Sequence, residues 1–433
     1  KNKEFEKMYK KSEELLEKAL KLIPLGSQTF SKSITQLPFG VSPYFVEKAK
    51  GAYFWDIDNN KYLDFSNALA SVTLGYCDPD VDSAVKKQME YGVTFSLPHT
   101  LEVDVAKMLI DAIPCAEQVR FAKNGTDATS GAVRVARAFT GKERVAVCGY
   151  HGWQDWYIGS TTKNLGVPKC VQNLTHTFKY NNIDSLASIL EEYPEEFAAI
   201  IMEPMSGEYP KDNFLEKVKE LAHNSGALLI FDETVTGFRV SNGGAQELFG
   251  VIPDLATFGK GLANGYPLSA VVGREKYMSV MKDIFFSGTF GGETLSLAAA
   301  KAVLEKIKKE KVLEHLNKLG MYLHKELDQL LIKLDVESFV SYTGHPSWSF
   351  LIFKDQDNAT SWELKTFFMQ EMFKRGIFTI GAQTLSYAHT KEDMNKLLHA
   401  YKEVFSIMKD YIERNVLQDK LDCEPLKPLF SVR

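Results

Sequence analysis

Cysteine is scarce in this 433-residue chain, and the cysteines are not paired in sequence. The five of them are widely spaced, and no Cys-x-x-Cys pair occurs: Cys77, Cys115, Cys148, Cys170 and Cys423. An odd and scattered set argues against a disulfide framework and against a zinc site of the usual spacing. We therefore expect reduced thiols, a cytoplasmic location and no bound metal.

Long apolar runs and a large excess of charge are also missing. No apolar stretch approaches the roughly 20 residues that cross a bilayer, and the first 24 residues lack the pattern of a signal peptide. A formal net charge of −5 gives no reason to expect nucleic acid or an anionic membrane as a partner. No Gly-x-Gly-x-x-Gly loop follows an early strand, which argues against a nicotinamide-dependent Rossmann enzyme.

The apolar pattern that is present predicts an α/β fold. Residues 51–65 are typical of a hairpin, since two short apolar segments flank the turn residues "DNN". From about residue 100, short apolar runs alternate with amphipathic segments, which predicts a mostly parallel sheet with helices on both faces. The predicted strands are 118–122, 144–149, 197–202, 227–232, 255–259 and 269–274.

The two ends of the chain have a different pattern. An N-terminal helix is expected to end at Pro24, and a long helix after residue 295 is expected to be interrupted near Glu310 and Gly320. Strands at 338–342 and 347–354 and helices at 361–375 and 391–415 follow. We expect residues 71–310 to form a large α/β domain, and residues 1–70 and 311–433 to contribute to a small α+β domain.

The first candidate site segment is residues 120–141, where a strand, a turn and a helix follow one another. Asn124, Gly125 and Thr126 would place backbone N–H groups and a hydroxyl at the positive N-terminus of a helix, which suits a phosphate. An ordinary capped helix with Asp127 in its first turn has the same pattern. Taken alone, the ordinary helix is the better interpretation.

Two carboxylates are expected at the carboxyl ends of strands, where open α/β sheets bind ligands. Asp232 follows five apolar residues, and a buried carboxylate needs a partner, which a protonated ring nitrogen would supply. Capping of the next segment is the alternative. Glu203 ends the run "AAIIM" in the same way, and structural ion pairing is the stronger interpretation for it.

Lys260 follows the strand 255–259 and lies between two glycines. A desolvated lysine there would have a lowered pKa and a nucleophilic amine that forms an imine with an aldehyde. The phosphate segment, Asp232 and Lys260 together match the three groups by which proteins hold pyridoxal phosphate. Tyr150 is a candidate to stack on the cofactor ring, with His151 beside it.

With these residues the chain resembles the class III, fold type I pyridoxal-phosphate aminotransferases, and within them the branch of glutamate-1-semialdehyde aminomutase. "NGTDA" is similar to the phosphate loop of that family, "YHG" to its ring-stacking segment, "DETVTGFR" to its aspartate motif and "PDLATFGKGLANGYP" to its lysine motif. The resemblance implies a large sheet of the seven-stranded type. It also implies a homodimer with shared sites, in which Thr289 reaches the phosphate of the neighbouring subunit.

Departures from that pattern concern cofactor contacts and substrate. Asn124 replaces the usual serine, and Thr234 replaces the branched apolar residue over the second ring face, which adds a hydroxyl that could reach cofactor or substrate. Lys32 stands where the aminomutase has a carboxylate-binding arginine, and lysine is a poorer bidentate partner. The segment "SYTGHPSWSF" also lacks an arginine for an α-carboxylate.

The resulting hypothesis is an aminotransferase that moves an amino group from a small donor to a small carbonyl compound. An uncharged or sugar-like acceptor is expected, bound near Trp153 and other aromatic residues, although these aromatics suit core packing equally well: Trp156, Tyr157, His345 and Trp348. The alternatives are an intramolecular aminomutase and a non-catalytic binding protein that keeps only the fold.

Overall fold

The computed structural model describes residues 3–429. Its strands are β1 (Val46–Lys50), β2 (Tyr53–Asp56), β3 (Lys61–Asp64), β4 (Gln118–Ala122), β5 (Arg144–Cys148), β6 (Thr175–Thr177), β7 (Phe197–Met202), β8 (Leu228–Asp232), β9 (Leu255–Phe258), β10 (Ser269–Gly273), β11 (Val340–His345), β12 (Trp348–Phe353), β13 (Ile377–Phe378) and β14 (Ala382–Thr384). Its helices are α1 (Lys3–Met8), α2 (Lys10–Leu22), α3 (Asn67–Ala70), α4 (Pro79–Met89), α5 (Thr100–Ala112), α6 (Gly125–Thr140), α7 (Asp155–Ile158), α8 (Lys169–Gln172), α9 (Ile183–Glu192), α10 (Phe214–Asn224), α11 (Ala245–Phe249), α12 (Glu275–Met278), α13 (Thr294–Glu310), α14 (Val312–Leu334), α15 (Ser361–Lys374) and α16 (Lys391–Glu413).

The chain divides into two compact units, each with its own sheet or sheets. Residues 3–69, 74–78 and 314–429 form the first unit, and residues 70–73 and 79–313 form the second. No helix described between residues 3 and 429 is both long and apolar enough to span a bilayer.

The second unit is built on a seven-stranded sheet in the order β4-β10-β9-β8-β7-β5-β6. β10 runs antiparallel to both of its neighbours, and the pairs from β9 to β6 are parallel. Every residue of β7, β8 and β9 is buried, as continuous apolar strands covered on both faces require. All six predicted strands of this sheet are confirmed, and β6 was not predicted.

The first unit contains a four-stranded sheet, β1-β2-β3-β13, and a three-stranded sheet, β11-β12-β14. β2 pairs antiparallel with β3, which confirms the hairpin predicted over residues 51–65. The predicted helices near residues 361–375 and 391–415 are confirmed as α15 and α16, and each begins with a threonine cap, Thr360 or Thr390.

The predicted helix interruption at Gly320 is wrong, whereas the one near Glu310 is confirmed. Lys311 has a left-handed φ of 50° and separates α13 from α14, but α14 continues unbroken through Gly320. A Cβ at position 320 would lie 1.9 Å from the carbonyl oxygen of Pro346. Glycine is therefore required by the close approach of the 346 backbone, and not by a helix end.

Replacing Gly320 with alanine is expected to destabilise the protein by about 3 kcal/mol, because overpacking outweighs the roughly 1 kcal/mol by which alanine favours a helix. Urea unfolding monitored by circular dichroism measures the change. Lys318→Ala is the control, since Lys318 is exposed on the same helix. A Gly320→Ala variant as stable as the control would contradict the close packing against Pro346.

Candidate active site

Asp232 ends β8 and is buried at the carboxyl edge of the seven-stranded sheet. Its Oδ2 lies 2.8 Å from Nδ1 of His151. Its Oδ1 accepts hydrogen bonds from Thr234 N–H (3.1 Å), the Thr234 hydroxyl (2.5 Å) and the Thr257 hydroxyl (3.1 Å). Burial favours a higher pKa, but the bonds from His151 and Thr234 outweigh it and hold the pKa of Asp232 below its usual range. Asp232 is therefore a buried carboxylate that stays ionised.

His151 is buried, and both of its ring nitrogens face acceptors. Besides the Asp232 carboxylate, the carbonyl oxygen of Cys148 lies 3.1 Å from Nε2 of His151. His151 thus contacts the Asp232 carboxylate through Nδ1, a contact that the ring-stacking prediction for this segment did not include.

The N-terminus of α6 is capped, and its first turn also contains backbone N–H groups that have no intrahelical acceptor. Asn124 is the N-cap residue, and its N–H donates to Oδ2 of Asp127 at 2.7 Å, as in the ordinary capped helix considered from the sequence. The helix begins at Gly125. The N–H groups of Gly125 and Thr126 lie in the first turn, where no intrahelical carbonyl is available to accept them. They remain suited to an anionic group.

The loop after β5 is held against the N-terminus of α6. Trp153 N–H donates to Oγ1 of Thr126 at 3.3 Å, and Tyr150 N–H donates to Glu203 at 3.0 Å. Gly152 has a φ of +111°, and a Cβ there would lie 2.2 Å from Oγ1 of Thr126. The loop therefore needs glycine at this position to approach the helix. The side chain of Tyr150 is exposed.

Glu203 is partly buried and carries no cation within ion-pair distance among the described residues. Its carboxylate instead accepts the N–H of Tyr150. Burial and the negative charge of Asp232 raise the pKa of Glu203. The ion pair expected from the sequence is therefore replaced by a backbone contact.

Lys260 follows β9 and has a left-handed φ of 44°. Its flanking residues Gly259 and Gly261 are buried, whereas Lys260 taken as a whole residue is exposed. The surrounding protein still crowds the amine, and this desolvation lowers its pKa, against the opposing effect of the carboxylates of Glu203 and Asp232. The lowered pKa increases the fraction of free amine at neutral pH.

The hydroxyl of Thr234 contacts a residue of the protein itself, and the contact expected with cofactor or substrate stays a prediction. The hydroxyl donates to Asp232, so it is already engaged within the protein. Its methyl carbon Cγ2 lies 3.2 Å from the position that a Cβ on Gly125 would take. The apolar end of Thr234 thus faces the start of α6, and its polar end holds Asp232.

Most of the aromatic residues expected near a substrate belong to the protein interior. Trp156 is buried and donates from Nε1 to the Ser130 hydroxyl at 2.8 Å, and the buried Tyr157 donates to the carbonyl of Gly149 at 2.8 Å. His345 and Trp348 are buried within the first unit. Core packing is the correct interpretation for these four residues. Trp153 differs, because 68% of its surface is exposed.

Two other predicted residues lie on open surfaces. Lys32 is exposed in the first unit, where it lines a cavity of about 420 Å³ together with Tyr44 and Phe54. Thr289 is exposed in the second unit and lines a cavity of about 360 Å³ beside Lys123. The roles expected for Lys32 and Thr289 stay predictions.

Thr257 is a site residue that the sequence reasoning missed. It lies directly opposite Asp232 in the register of β8 and β9 and donates to its carboxylate. The signal was a single threonine in the otherwise apolar strand "LATF". A hydroxyl buried in a central strand needs a partner, and Asp232 was the polar residue on the neighbouring strand.

These residues fit pyridoxal phosphate. Asp232 is an ionised carboxylate whose Oδ2 has one protein donor, which leaves it able to accept a ring N–H. The Lys260 amine has the lowered pKa that attack on an aldehyde requires, and the first turn of α6 presents N–H groups for a phosphate. The fold and these groups define a pyridoxal-phosphate enzyme of the fold type I transferases.

Comparison with known proteins supports this assignment to the pyridoxal-phosphate enzymes. The family model for class III aminotransferases matches residues 38–386, and the chain belongs to that family. It is 36% identical to the 3-aminobutyryl-CoA aminotransferase of Cloacimonas acidaminovorans (strain Evry), over 92% of this chain and 97% of the relative.

Solved structures give the same result. The FumI protein of Sphingopyxis sp. MTA144, in its pyridoxal-phosphate internal aldimine form, has a TM-score of 0.86 and 28% identity, covering 96% of this chain and 98% of that one. An omega-transaminase from Sphaerobacter thermophilus has a TM-score of 0.82 and 26% identity, covering 91% and 96%. The chain is a pyridoxal-phosphate-dependent aminotransferase that transfers amino groups between small molecules. The interpretations as a non-catalytic binding protein and as a nicotinamide enzyme are therefore wrong.

Proposed function

We propose that Lys260 and Asp232 are the catalytic residues of this aminotransferase. When bound, the cofactor acts as an electron sink for the bond that breaks at the amine-bearing carbon of the substrate. Lys260 would bind the aldehyde carbon through Nζ and, once free, would move a proton between the amine-bearing carbon of the substrate and that aldehyde carbon as general acid and base. Asp232 accepts the ring N–H and keeps the ring nitrogen protonated. The donor set around Asp232 is the observation that carries this assignment.

The other contacts are assigned from their positions. The N–H groups of Gly125 and Thr126, at the turn that Asn124 caps, bind the phosphate. The exposed ring of Tyr150 covers one face of the cofactor, and His151 acts through Asp232. The methyl of Thr234 contributes to the opposite face. Glu203 holds the loop of Tyr150 in place and touches the cofactor only through that loop.

We infer that the protein works as a homodimer with shared sites, in the cytoplasm, with Thr289 of one copy reaching the phosphate held by the other. The second unit exposes a set of large apolar side chains, which is typical of a surface covered by another subunit. They are Met89, Tyr91, Leu97, Val103, Phe285 and Phe290. A cavity of about 620 Å³ lies between residues 98–111, which include Val103, and residues 286–292, which include Phe290.

The proposed substrate carries no carboxylate on its amine-bearing carbon. Each of the eight arginines within residues 3–429 donates at least one hydrogen bond to an acceptor in the protein: Arg120, Arg134, Arg137, Arg144, Arg239, Arg274, Arg375 and Arg414. The similarity to a 3-aminobutyryl-CoA aminotransferase supports a 3-amino acyl compound as the substrate class. Lys32 and Trp153 are the candidate substrate contacts.

The sugar-like substrate remains a second prediction, which only the exposed Trp153 still supports, since the other aromatics lie in the core. The intramolecular aminomutase remains the alternative reaction. Against it stands Lys32 at the position where that enzyme's carboxylate-binding arginine is expected.

A donor screen separates these proposals. The holoenzyme is mixed in turn with a 3-amino acyl thioester, an amino sugar, L-alanine and 4,5-diaminovalerate, and conversion of the bound cofactor to its amine form is followed by absorbance. We expect the 3-amino acyl compound to convert the cofactor and L-alanine to react at least about 100-fold more slowly, as a missing carboxylate partner predicts. Conversion by 4,5-diaminovalerate alone would instead establish the aminomutase.

A further inference from the structure

Thr234 supplies two of the three hydrogen bonds that Oδ1 of Asp232 accepts. Its N–H lies 3.1 Å and its hydroxyl 2.5 Å from that oxygen, and the Thr257 hydroxyl lies 3.1 Å from it. The short hydroxyl contact has the length of a charge-assisted hydrogen bond. Oδ1 is thus fully occupied by protein donors.

The other oxygen of Asp232 is in a different position. Oδ2 has one protein donor, Nδ1 of His151, and a carboxylate oxygen has two lone pairs. The two oxygens are chemically equivalent, so a half turn of the carboxyl group would restore the same contacts, but any smaller rotation about Cβ–Cγ would break the contacts of Thr234. The threonine hydroxyl therefore holds the plane of the Asp232 carboxyl group, and a lone pair of the oxygen opposite Thr234 remains for a further donor.

We propose that Thr234 is a positioning residue for the cofactor, whose hydroxyl fixes Oδ1 of Asp232 so that Oδ2 receives the ring N–H. The inference rests on the proposed role of Asp232. Because the hydroxyl donates to the ionised carboxylate, it also opposes protonation of Asp232. The other charged or titratable groups that act on this carboxylate are His151, Glu203, Lys260, Tyr150 and Tyr157.

Thr234→Val tests this directly, because valine keeps the branched shape and the N–H and removes only the hydroxyl. The cofactor affinity of the apoprotein is measured by quenching of tryptophan fluorescence across pH 5–8. We expect affinity to fall about tenfold, the value of one hydrogen bond to a charged group. Cofactor affinity should fall as Asp232 becomes protonated at acid pH. This acid limb of the affinity profile should move to higher pH in the variant, because the pKa of Asp232 rises when a donor is lost.

Two further variants identify the cause. Thr234→Ser keeps the hydroxyl and should restore affinity to within about twofold, as retention of the hydrogen bond predicts. Thr236→Val is the matched control, since that buried hydroxyl donates at 2.5 Å to Glu233 in the same turn. It should leave the acid limb unmoved, even if the variant is less stable.

The outcomes are distinct. Wild-type affinity in Thr234→Val, equal losses in Thr234→Val and Thr234→Ser, or the same shift in Thr236→Val would each overturn the positioning role. Asp232→Asn is measured in parallel. If it leaves cofactor affinity unchanged, the proposed role of Asp232 itself fails, whereas a loss in Asp232→Asn without a loss in Thr234→Val removes only the inference about Thr234.

Discussion

Replacing Lys260 with alanine is expected to lower kcat by about 10⁴-fold or more, because the variant loses both its nucleophile and the group that moves the proton. The lowered pKa of the Lys260 amine, caused by crowding at the end of β9, is the property that this role needs. The phosphate and ring contacts do not involve the amine, so the variant should still bind the cofactor, without a covalent bond. Single-turnover kinetics with a reactive amino donor measures the loss.

The control for this experiment is Lys282→Ala. Lys282 is an exposed lysine of the same unit, and its removal tests the effect of losing one positive charge there. We expect wild-type kcat for the control. A Lys260→Ala variant that retains more than about one hundredth of the wild-type kcat would contradict a role in proton transfer, since a general acid–base group alone supplies at least that factor.

Asp232→Asn is expected to lower kcat by about 10²- to 10³-fold, the usual cost of one lost electrostatic contact in an active site. The amide carries no charge to hold the ring nitrogen protonated, and it places an N–H₂ group among donors from His151, Thr234 and Thr257. Cofactor affinity should fall together with kcat. Equilibrium binding to the apoprotein and steady-state kinetics measure the two effects separately.

Asp254→Asn is the matched control, because the second unit contains another aspartate and histidine in contact. Asp254 precedes β9 at the opposite edge of the sheet, is buried, and accepts from His223 at 2.9 Å and from Leu229 N–H at 2.8 Å. Its substitution should lower the free energy of unfolding without changing cofactor affinity. If both variants weaken cofactor binding equally, the effect of Asp232→Asn is structural and its proposed contact with the ring is wrong.

The central sheet and the two main site residues could be predicted because both depend on short stretches of sequence. β7, β8 and β9 are continuous apolar runs, and a polar residue directly after such a run lies at the carboxyl edge of the sheet. β6 escaped prediction because it has three residues, Thr175–Thr177, and pairs with a single neighbour at the sheet edge. Such a strand needs no apolar run.

The contacts within the site could not be predicted in the same way. His151 and Asp232 are 81 positions apart, and nothing in either segment indicates that an imidazole reaches the carboxylate. The opposing pair of Asp232 and Thr257 follows from strand register, which is set by the assembled sheet. Gly320 was wrongly predicted for the same reason. Its sequence context suggests a helix end, but glycine is needed there because the backbone carbonyl of Pro346, which is distant in sequence, lies too close for a Cβ.

The covalent attachment of the cofactor to Lys260 is the most direct test of the account. The holoenzyme is treated with borohydride, digested, and the peptide that carries the reduced cofactor is identified by mass spectrometry. We expect the label on Lys260, in the peptide that contains "FGKGLANGYP". Label on any other lysine, or a protein that takes up no label after incubation with pyridoxal phosphate, would contradict it.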